Sequence, residues 1–341
     1  MNVQSALGQL FDGKDLSRED TKRVFAEVMS GNATPAQIGA LLAALRVKGE
    51  TPEEVAGAAE TMRALSLKVE VSAPNLVDTC GTGGSGGAKL FNVSTASAFV
   101  AAAAGAHVAK HGNRKQSSAS GSADLLEAAG VNINLDPERI AHCIREVGVG
   151  FLFAQAHHSA MRYAAPVRQE LATRTVMNVL GPLTNPAGAP NQVIGVFSAA
   201  WQQTVAEVVR LLGADHVLVV HCDGLDEIGL AAPTTVVELR DGEITSYEIK
   251  PGDFGIASTS HDALSMDSPE QSLALVRQAL GEPDSAAADI VSLNAGAAIY
   301  ASGVATSLAN GVTMAQDAIA SGLAKERLAE LARVTNLMAE S

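Results

Sequence analysis

Aromatic residues are scarce in this chain. Phe, Trp and Tyr together make up 4% of its 341 residues, with a single tryptophan. Alanine and glycine abound instead, which favours closely packed helices and tight turns over an aromatic stacking platform. Cysteine is rare too. Cys80, Cys143 and Cys222 are odd in number and show no CxxC spacing, so neither a disulfide framework nor a thiolate zinc site is suggested. Positive charge is the minority sign: 24 Lys and Arg against 37 Asp and Glu leave a net charge of −13. Such a surface is a poor match to nucleic acid or to an anionic membrane. Long apolar runs are missing. The longest, Ala96 to Ala109, contains Ser97, Gly105 and His107 and falls short of the ~20 residues of a membrane span. Met1 to Asp20 is polar and mixed, without the apolar stretch of a signal peptide. These absences predict a cytoplasmic protein with no nucleic-acid and no membrane partner. The chain is nonetheless 47% hydrophobic, enough for a sizeable core in one large domain or two ordinary ones.

The first 70 residues read as short helices. Ser17 before Arg18-Glu19-Asp20 is a capping pattern, and Thr34-Pro35 and Thr51-Pro52 open two further helices with proline at the first helical position. From about residue 75 strands alternate with helices. Strands are expected at Leu76-Val77, Ala106–Ala109, Val131–Leu135, Gly150–Ala154, Gln192–Phe197 and His216–His221. Helices are expected at Ser94–Ala104, Asp124–Ala129, Pro137–Val147 and 201–212. His157 to Leu180 interrupts this alternation and reads as two more helices. Val236–Leu239 and Ile244–Ile249, joined by Asp241-Gly242, read as a hairpin, and helices dominate from Pro269 onward. The expected fold class is α/β: a small all-helical domain beside a larger α/β domain with a mostly parallel central sheet. The expected division is a helical domain at 1–72, completed by helices near 158–190, and an α/β domain at 73–157 and 191–341. A cleft between two domains is a common ligand site.

Two segments carry chemistry. Asp78-Thr79-Cys80-Gly81-Thr82-Gly83-Gly84-Ser85-Gly86-Gly87 follows a strand and runs into Asn92-Val93-Ser94-Thr95 at a helix start. Glycines there let backbone N–H groups approach an anion, and the helix dipole favours negative charge. No Gly-Lys-Ser/Thr follows and the spacing is not that of a dinucleotide fold, so neither a Walker loop nor an NAD site is indicated. The second segment, Lys110-His111-Gly112-Asn113-Arg114-Lys115-Gln116-Ser117-Ser118, places a cation just past a strand end, where α/β ligand sites lie. Ser117, Ser118, Ser120 and Ser122 can donate to phosphate oxygens or cap the next helix. Further on, Asp226-Glu227 follows an apolar strand. Adjacent carboxylates at a strand end suit Mg²⁺, which prefers oxygen ligands and bridges to phosphates, although an isolated Asp-Glu is more often a solvated turn. His157-His158 points to two faces of a helix and is a weak zinc motif, better read as core or pocket lining. Arg168 and Arg174 lie on the helical stretch that follows; an arginine facing the cleft could hold a carboxylate bidentately.

These motifs, in this order, resemble the anthranilate phosphoribosyltransferase family: Gly81 to Gly84, Phe91 to Thr95, Lys110 to Arg114, Gly121 to Asp124, Arg174 to Asn185 with Leu180-Gly181-Pro182-Leu183-Thr184-Asn185-Pro186, and Gly224 to Glu227. The resemblance spans essentially the whole chain. It implies a homodimer of the nucleoside-phosphorylase-like class that transfers phosphoribose from 5-phosphoribosyl pyrophosphate (PRPP) to the amine of anthranilate with Mg²⁺. It implies PRPP contacts from Gly81, Gly84, Ser85, Asn92, Ser94, Thr95, Lys110, Ser118 and Ser122. It further implies anthranilate contacts from Gly81, His111, Asn113 and Arg168, metal ligation by Ser94, Asp226 and Glu227, and catalytic roles for Lys110 and Arg168. The chain departs from the family pattern at Ser85, where aspartate is usual, in one extra loop residue before Asn92, and at Lys115-Gln116 and Ala119. Rival readings are a same-fold pyrimidine nucleoside phosphorylase and a non-catalytic protein that binds nucleic acid or another protein.

Overall fold

The computed structural model describes residues 1–83, 90–115 and 120–339. Four helices open the chain: α1 (Val3–Phe11), α2 (Arg18–Met29), α3 (Pro35–Lys48) and α4 (Pro52–Leu65). The proline start signals hold. Thr34 and Thr51 each form a reciprocal capping box, with Gln37 and Glu54, and Pro35 and Pro52 sit where the missing N–H is not needed.

The rest is an α/β domain. Strands β1 (Leu76–Gly81), β2 (His107–Gly112), β3 (Val149–Phe153), β4 (Asn191–Gly195), β5 (His216–His221), β6 (Thr234–Arg240) and β7 (Glu243–Ile249) form one sheet in the order β3-β2-β1-β4-β5-β6-β7. Every pair from β3 across to β5 is parallel, whereas β5–β6 and β6–β7 are antiparallel. The helices between strands are α5 (Val93–Ala103), α6 (Ser122–Ala128), α7 (Pro137–Glu146), α8 (Ala154–His157), α9 (Ala165–Leu171), α10 (Val176–Leu180) and α11 (Gln202–Leu211). The C-terminal set is α12 (Pro269–Gly281), α13 (Ala286–Ala301), α14 (Leu308–Ala320) and α15 (Leu323–Ala339). The period-2 alternation of strand side chains sorts the core into two layers. Val193, Leu218 and Val220 join a cluster with residues of α5 and of α12 to α15. Ile194, Val217 and Val219 face the other way, into a cluster shared with α11, the four N-terminal helices and Val167, Met177 and Leu180. On the first face, α13 and α14 cross closely: a Cβ at Gly296 or Gly311 would overlap backbone of the facing helix.

The Asp241-Gly242 hairpin forms as expected, both residues having positive φ (52° and 82°) as its tight turn requires. One expectation fails. Val131–Leu135 is irregular chain. Asn132 N donates to Thr335 Oγ1 and Asn134 N to Asn132 Oδ1, Val131 N closes back on Leu126 O, and Val131 and Ile133 bury themselves without a neighbouring strand. The stretch from His157 to Leu180 holds the two expected helices, α9 and α10, with a 3₁₀ turn over Ser159–Tyr163 before them.

Candidate active site

The site gathers at the C-terminal ends of the parallel strands, the edge where open α/β sheets bind ligands. Two glycines make room for it. A Cβ at Gly81, ending β1, would overlap the Asp226 carboxylate, and one at Gly195, ending β4, would overlap the Asp226 carbonyl. Only bare backbone lets the segment after β5 fold across these strand ends. Gly83, at φ 74°, donates its N–H to Asp226 Oδ2 (2.8 Å). Thr82 N bonds Gly195 O (2.9 Å), and Thr82 Oγ1 accepts from Phe197 N (3.0 Å). The glycine loop therefore leaves the sheet anchored to β4 and to the acidic pair.

Glu227 points to the start of α5, where Ser94 N donates to Glu227 Oε1 (3.2 Å). Burial, aided by the Asp226 charge beside it, pushes the Glu227 carboxyl up to about 8, against the pull of Lys110 and Ser94. Thr79, Cys80, Ser94 and Glu227 line a narrow crevice at this point. Asn92, the residue before α5, is fixed from the far side: its Oδ1 accepts from Ser272 Oγ (2.7 Å) and its Nδ2 donates to Ser120 O (3.3 Å). Thr95 is buried in the first turn of α5.

The end of β2 supplies the positive charge. Lys110 is buried, and its Nζ donates to Thr79 O (2.5 Å) and His111 O (3.2 Å). Next to it, the His111 and His158 rings meet edge to face at 5.2 Å. Both rings are buried, and among the described residues no hydrogen bond closes on any of their nitrogens, although the Gly181 backbone at His111 and the Thr184 backbone at His158 lie near enough to oppose the effect of burial. Burial is the first cause that holds both imidazoles neutral: His158 is pushed down to about 4 and His111 well below its ordinary value. Asn113 is set by Gln155 Nε2, which donates to its Oδ1 (3.2 Å), and Ser122 Oγ donates to Asn113 O (3.3 Å). Arg114 braces the same loop through ion pairs with Asp124 and Glu127. Arg168 lies on α9, where burial lowers its guanidinium, and that group has no hydrogen bond or ion pair among the described residues. Arg174 instead lies 4.0 Å over the Phe197 ring.

The arrangement is an anion cradle facing a neutral pocket. Backbone amides, a helix start and one buried ammonium surround paired carboxylates, with two unpartnered imidazoles alongside. A larger surface groove of about 350 Å³, between Ala263 and Ala287, has no cationic lining residue to hold a phosphate.

Two family models match in succession: the helical bundle domain of the glycosyl transferase family over residues 4–66, and its a/b domain over residues 73–325. An anthranilate phosphoribosyltransferase of Teredinibacter turnerae is 56% identical over 342 residues, covering 99% of this chain and 100% of its own. This chain belongs to the anthranilate phosphoribosyltransferase family. The same enzyme of Saccharophagus degradans is likewise 56% identical, over 99% of this chain and 100% of its own. The crystal structure of anthranilate phosphoribosyltransferase from Thermus thermophilus superposes with a TM-score of 0.92 at 44% identity, over 97% of this chain and 99% of that one. The Saccharomyces cerevisiae member, in complex with PRPP and Mg, shares the fold at a TM-score of 0.87 and 24% identity, over 98% of each chain.

Of the positions that the family resemblance singles out, the fold brings Gly81, Asn92, Ser94, Thr95, Lys110, Asp226 and Glu227 to the C-terminal ends of the strands, with His111 near the end of strand β2, Asn113 in the loop after it and Ser122 at the start of α6. Gly84, Ser85 and Ser118 lie outside the described residues, as do Gln116 and Ala119. The sequence reading quoted Asp78 and Asn185 within motifs but gave them no role of their own, and it passed over Gln155 and Gly195. Gly195 had a signal, a glycine at a strand end; Gln155 had none. Asp78, Cys80 and His111 also bring one carboxylate, thiol and imidazole atom each within 4.8 Å of one another. That mixed donor set is not one Mg²⁺ selects, and burial pushes the Cys80 thiol up to about 12.

Proposed function

We propose that this chain transfers the phosphoribosyl group of PRPP to the amine of anthranilate, releasing pyrophosphate, the step of tryptophan biosynthesis that its relatives' name describes. The observation that carries the reading is the convergence of the Asp226–Glu227 pair, the α5 start and the buried Lys110 ammonium on the glycine loop of a chain 56% identical to such enzymes.

The residues fit a magnesium ion. Asp226 and Glu227 offer adjacent oxygen donors, and the upward displacement of Glu227, caused first by burial and then by the Asp226 charge, marks a buried carboxylate that a divalent cation would stabilise in its ionised form. Asp226, Glu227 and the Ser94 hydroxyl would hold it. When bound, Mg²⁺ supplies neutralisation of diphosphate charge.

The protein's own groups do the rest. The amides of the loop that begins at Gly81, with Asn92, Ser94, Thr95 and Ser122, hold the phosphates. Gly84, Ser85 and Ser118 complete that set in this reading. Lys110 donates to the pyrophosphate as negative charge grows on it, while positive character develops at C1 of the ribose. Arg168 pairs with the acceptor carboxylate, Asn113 and His111 flank the ring, and Gly81 leaves space for it. The aromatic amine is a usable nucleophile once placed, so the neutral imidazoles need not act as strong bases and positioning supplies much of the rate.

The division into a helical domain at 1–72, completed near 158–190, and an α/β domain at 73–157 and 191–341 belongs to the same reading. Packing of Val167, Met177 and Leu180 with the N-terminal helices supports it. We read the protein as a homodimer: Phe11 on α1 and Val47 on α3 are 70% and 87% exposed, a cost in water that a partner surface would remove. We place it in the cytoplasm, in keeping with three free cysteines. Among the described residues no helix is long and apolar enough to cross a membrane.

The test is the fluorescence of anthranilate on adding PRPP and magnesium. It should decay with release of pyrophosphate. Stable fluorescence, together with phosphorolysis of thymidine, would establish the nucleoside phosphorylase reading instead.

A further inference from the structure

Strands β1 and β2 run side by side, yet their register ends after two pairs, Leu76 with His107 and Val77 with Val108. By contrast, β1 keeps five pairs with β4, and β2 five with β3. Continued one step, the β1–β2 register would set Asp78 against Ala109 and then Thr79 against Lys110. The paired register ends there instead, and side chains take up backbone groups beyond it. Asn185 Nδ2 donates to both Asp78 Oδ2 and Ala109 O, at 2.8 Å each. His111 N donates to Asp78 Oδ1 (3.1 Å). Lys110 Nζ donates to Thr79 O and His111 O. Asn185 is itself fixed, because its Oδ1 accepts from Ala187 N (2.8 Å). Asp78 and Asn185 are buried, so leaving any of these groups unpaired would be costly.

We propose that Asp78 and Asn185 are positioning residues whose side-chain links replace the β1–β2 ladder beyond Val77 and Val108, so that the Lys110 ammonium and the His111 backbone sit where the substrate crevice needs them. The proposal rests on the phosphoribosyl-transfer reading for its kinetic consequence, though not for its structural one. An intact ladder would draw Lys110 and the loop after it against the glycine loop and close the space between them. The Leu180-to-Pro186 motif thereby acquires a function: its asparagine is the strut between the two strands that carry the phosphate-binding loops.

The experiment compares Asp78→Asn, Asn185→Asp and the exchange carrying both. Asp78→Asn leaves one acceptor for two donors, so its NH₂ must face either Asn185 Nδ2 or His111 N, and Asn185→Asp sets two carboxylates against each other. The exchange restores a donor–acceptor pair between positions 78 and 185 but leaves Ala109 O without its donor. Each single change should lower kcat/KM for PRPP about 100-fold, the size expected when a reacting constellation is misplaced by about 1 Å. The exchange should recover at least part of that loss, a non-additivity that independent sites do not give. The His111 amide resonance should shift in Asp78→Asn whether or not turnover is measured. If a charged variant does not fold, Asn185→Ala removes the strut without adding charge and should show the same loss for PRPP. Single variants with wild-type kcat/KM, strictly additive losses in the exchange, or an unmoved His111 resonance would each overturn the proposal. An inactive wild-type protein whose His111 resonance still shifts would reject the phosphoribosyl-transfer reading and leave the strut standing.

Discussion

The two ends of the sheet treat polar groups in opposite ways. At the antiparallel edge, β5, β6 and β7 pair along their whole length, and the one buried carboxylate among them is saturated. Glu238 accepts from His216 Nε2 (2.8 Å), Tyr247 OH (2.7 Å) and Tyr300 OH (2.8 Å). At the β1–β2 junction, one strand in from the opposite edge strand β3, the ladder stops early, a lysine bonds backbone carbonyls, and among the described residues two buried imidazoles close no hydrogen bond. Local consistency is what a fold needs. The places that violate it are where a protein spends stability on function. The contrast thus falls, without reference to any relative, at the same strand ends as the candidate site.

The strongest way to test that contrast is to remove the charge at the functional end. Asp226→Asn with Glu227→Gln keeps shape and should cut magnesium-dependent turnover about 1,000-fold, since several charge-assisted contacts are lost together. Steady-state rates across a magnesium titration check it, and undiminished turnover would reject the metal role. Arg168→Ala comes next. Its guanidinium, free of partners among the described residues, should serve the acceptor, so the anthranilate KM should rise about 100-fold, the worth of a desolvated bidentate pair. Equal changes in the PRPP and anthranilate KM values would remove Arg168 from the acceptor subsite.

The unpartnered imidazoles make a prediction about stability. In the folded protein burial holds His158 at about 4, whereas in the unfolded chain it returns to an ordinary histidine value near ~6.5. Above the unfolded value both states are neutral and the protein keeps its full stability. As pH falls from there toward 4 the unfolded chain takes up the proton first, so stability drains away, by about 2 kcal/mol at pH 5 from this residue. His111 acts in the same direction. Urea unfolding at pH 7 and pH 5 should show the loss, and His158→Leu should reduce it. A His158→Leu protein as acid-labile as the wild type would mean that the pocket is not what keeps this imidazole neutral.

Much of the site was legible in sequence because its signals are local. A glycine loop between strand and helix, a lysine near a strand end and an Asp-Glu pair after another strand each declare themselves within a few residues, although β2 runs on through Gly112 and so includes Lys110, which was expected just past it. The capped N-terminal helices and the Asp241-Gly242 hairpin are local in the same sense. What was not legible depends on distance or on competition. Asn185 meets Asp78 across 107 positions, and no periodicity reports that. Val131–Leu135 has the alternation of a strand, but the side chains of Thr335 and Asn132 offer its backbone other partners, and side-chain competition of that kind outweighs a five-residue pattern. The early end of the β1–β2 register left no trace in composition, since both strands are ordinary and apolar up to that point.

The smallest effect belongs to the saturated end and sharpens the comparison most. Glu238→Gln keeps an oxygen for His216 and Tyr300 and presents an amide to Tyr247, whose hydroxyl can accept as well as donate. Only charge assistance is lost, so the cost should be about 1 kcal/mol in urea unfolding at neutral pH. The three donors together hold the Glu238 carboxyl below its ordinary value despite its burial. Its contribution is therefore complete at neutral pH and declines as acid protonates the carboxylate, so wild type and variant should converge in strongly acid solution. Because Glu238 lies on β6, beyond the last parallel pair, kcat and both KM values should stay at wild-type levels. A change in the PRPP KM would mean that strain passes along the sheet from one end to the other, and that the two ends are a single coupled unit.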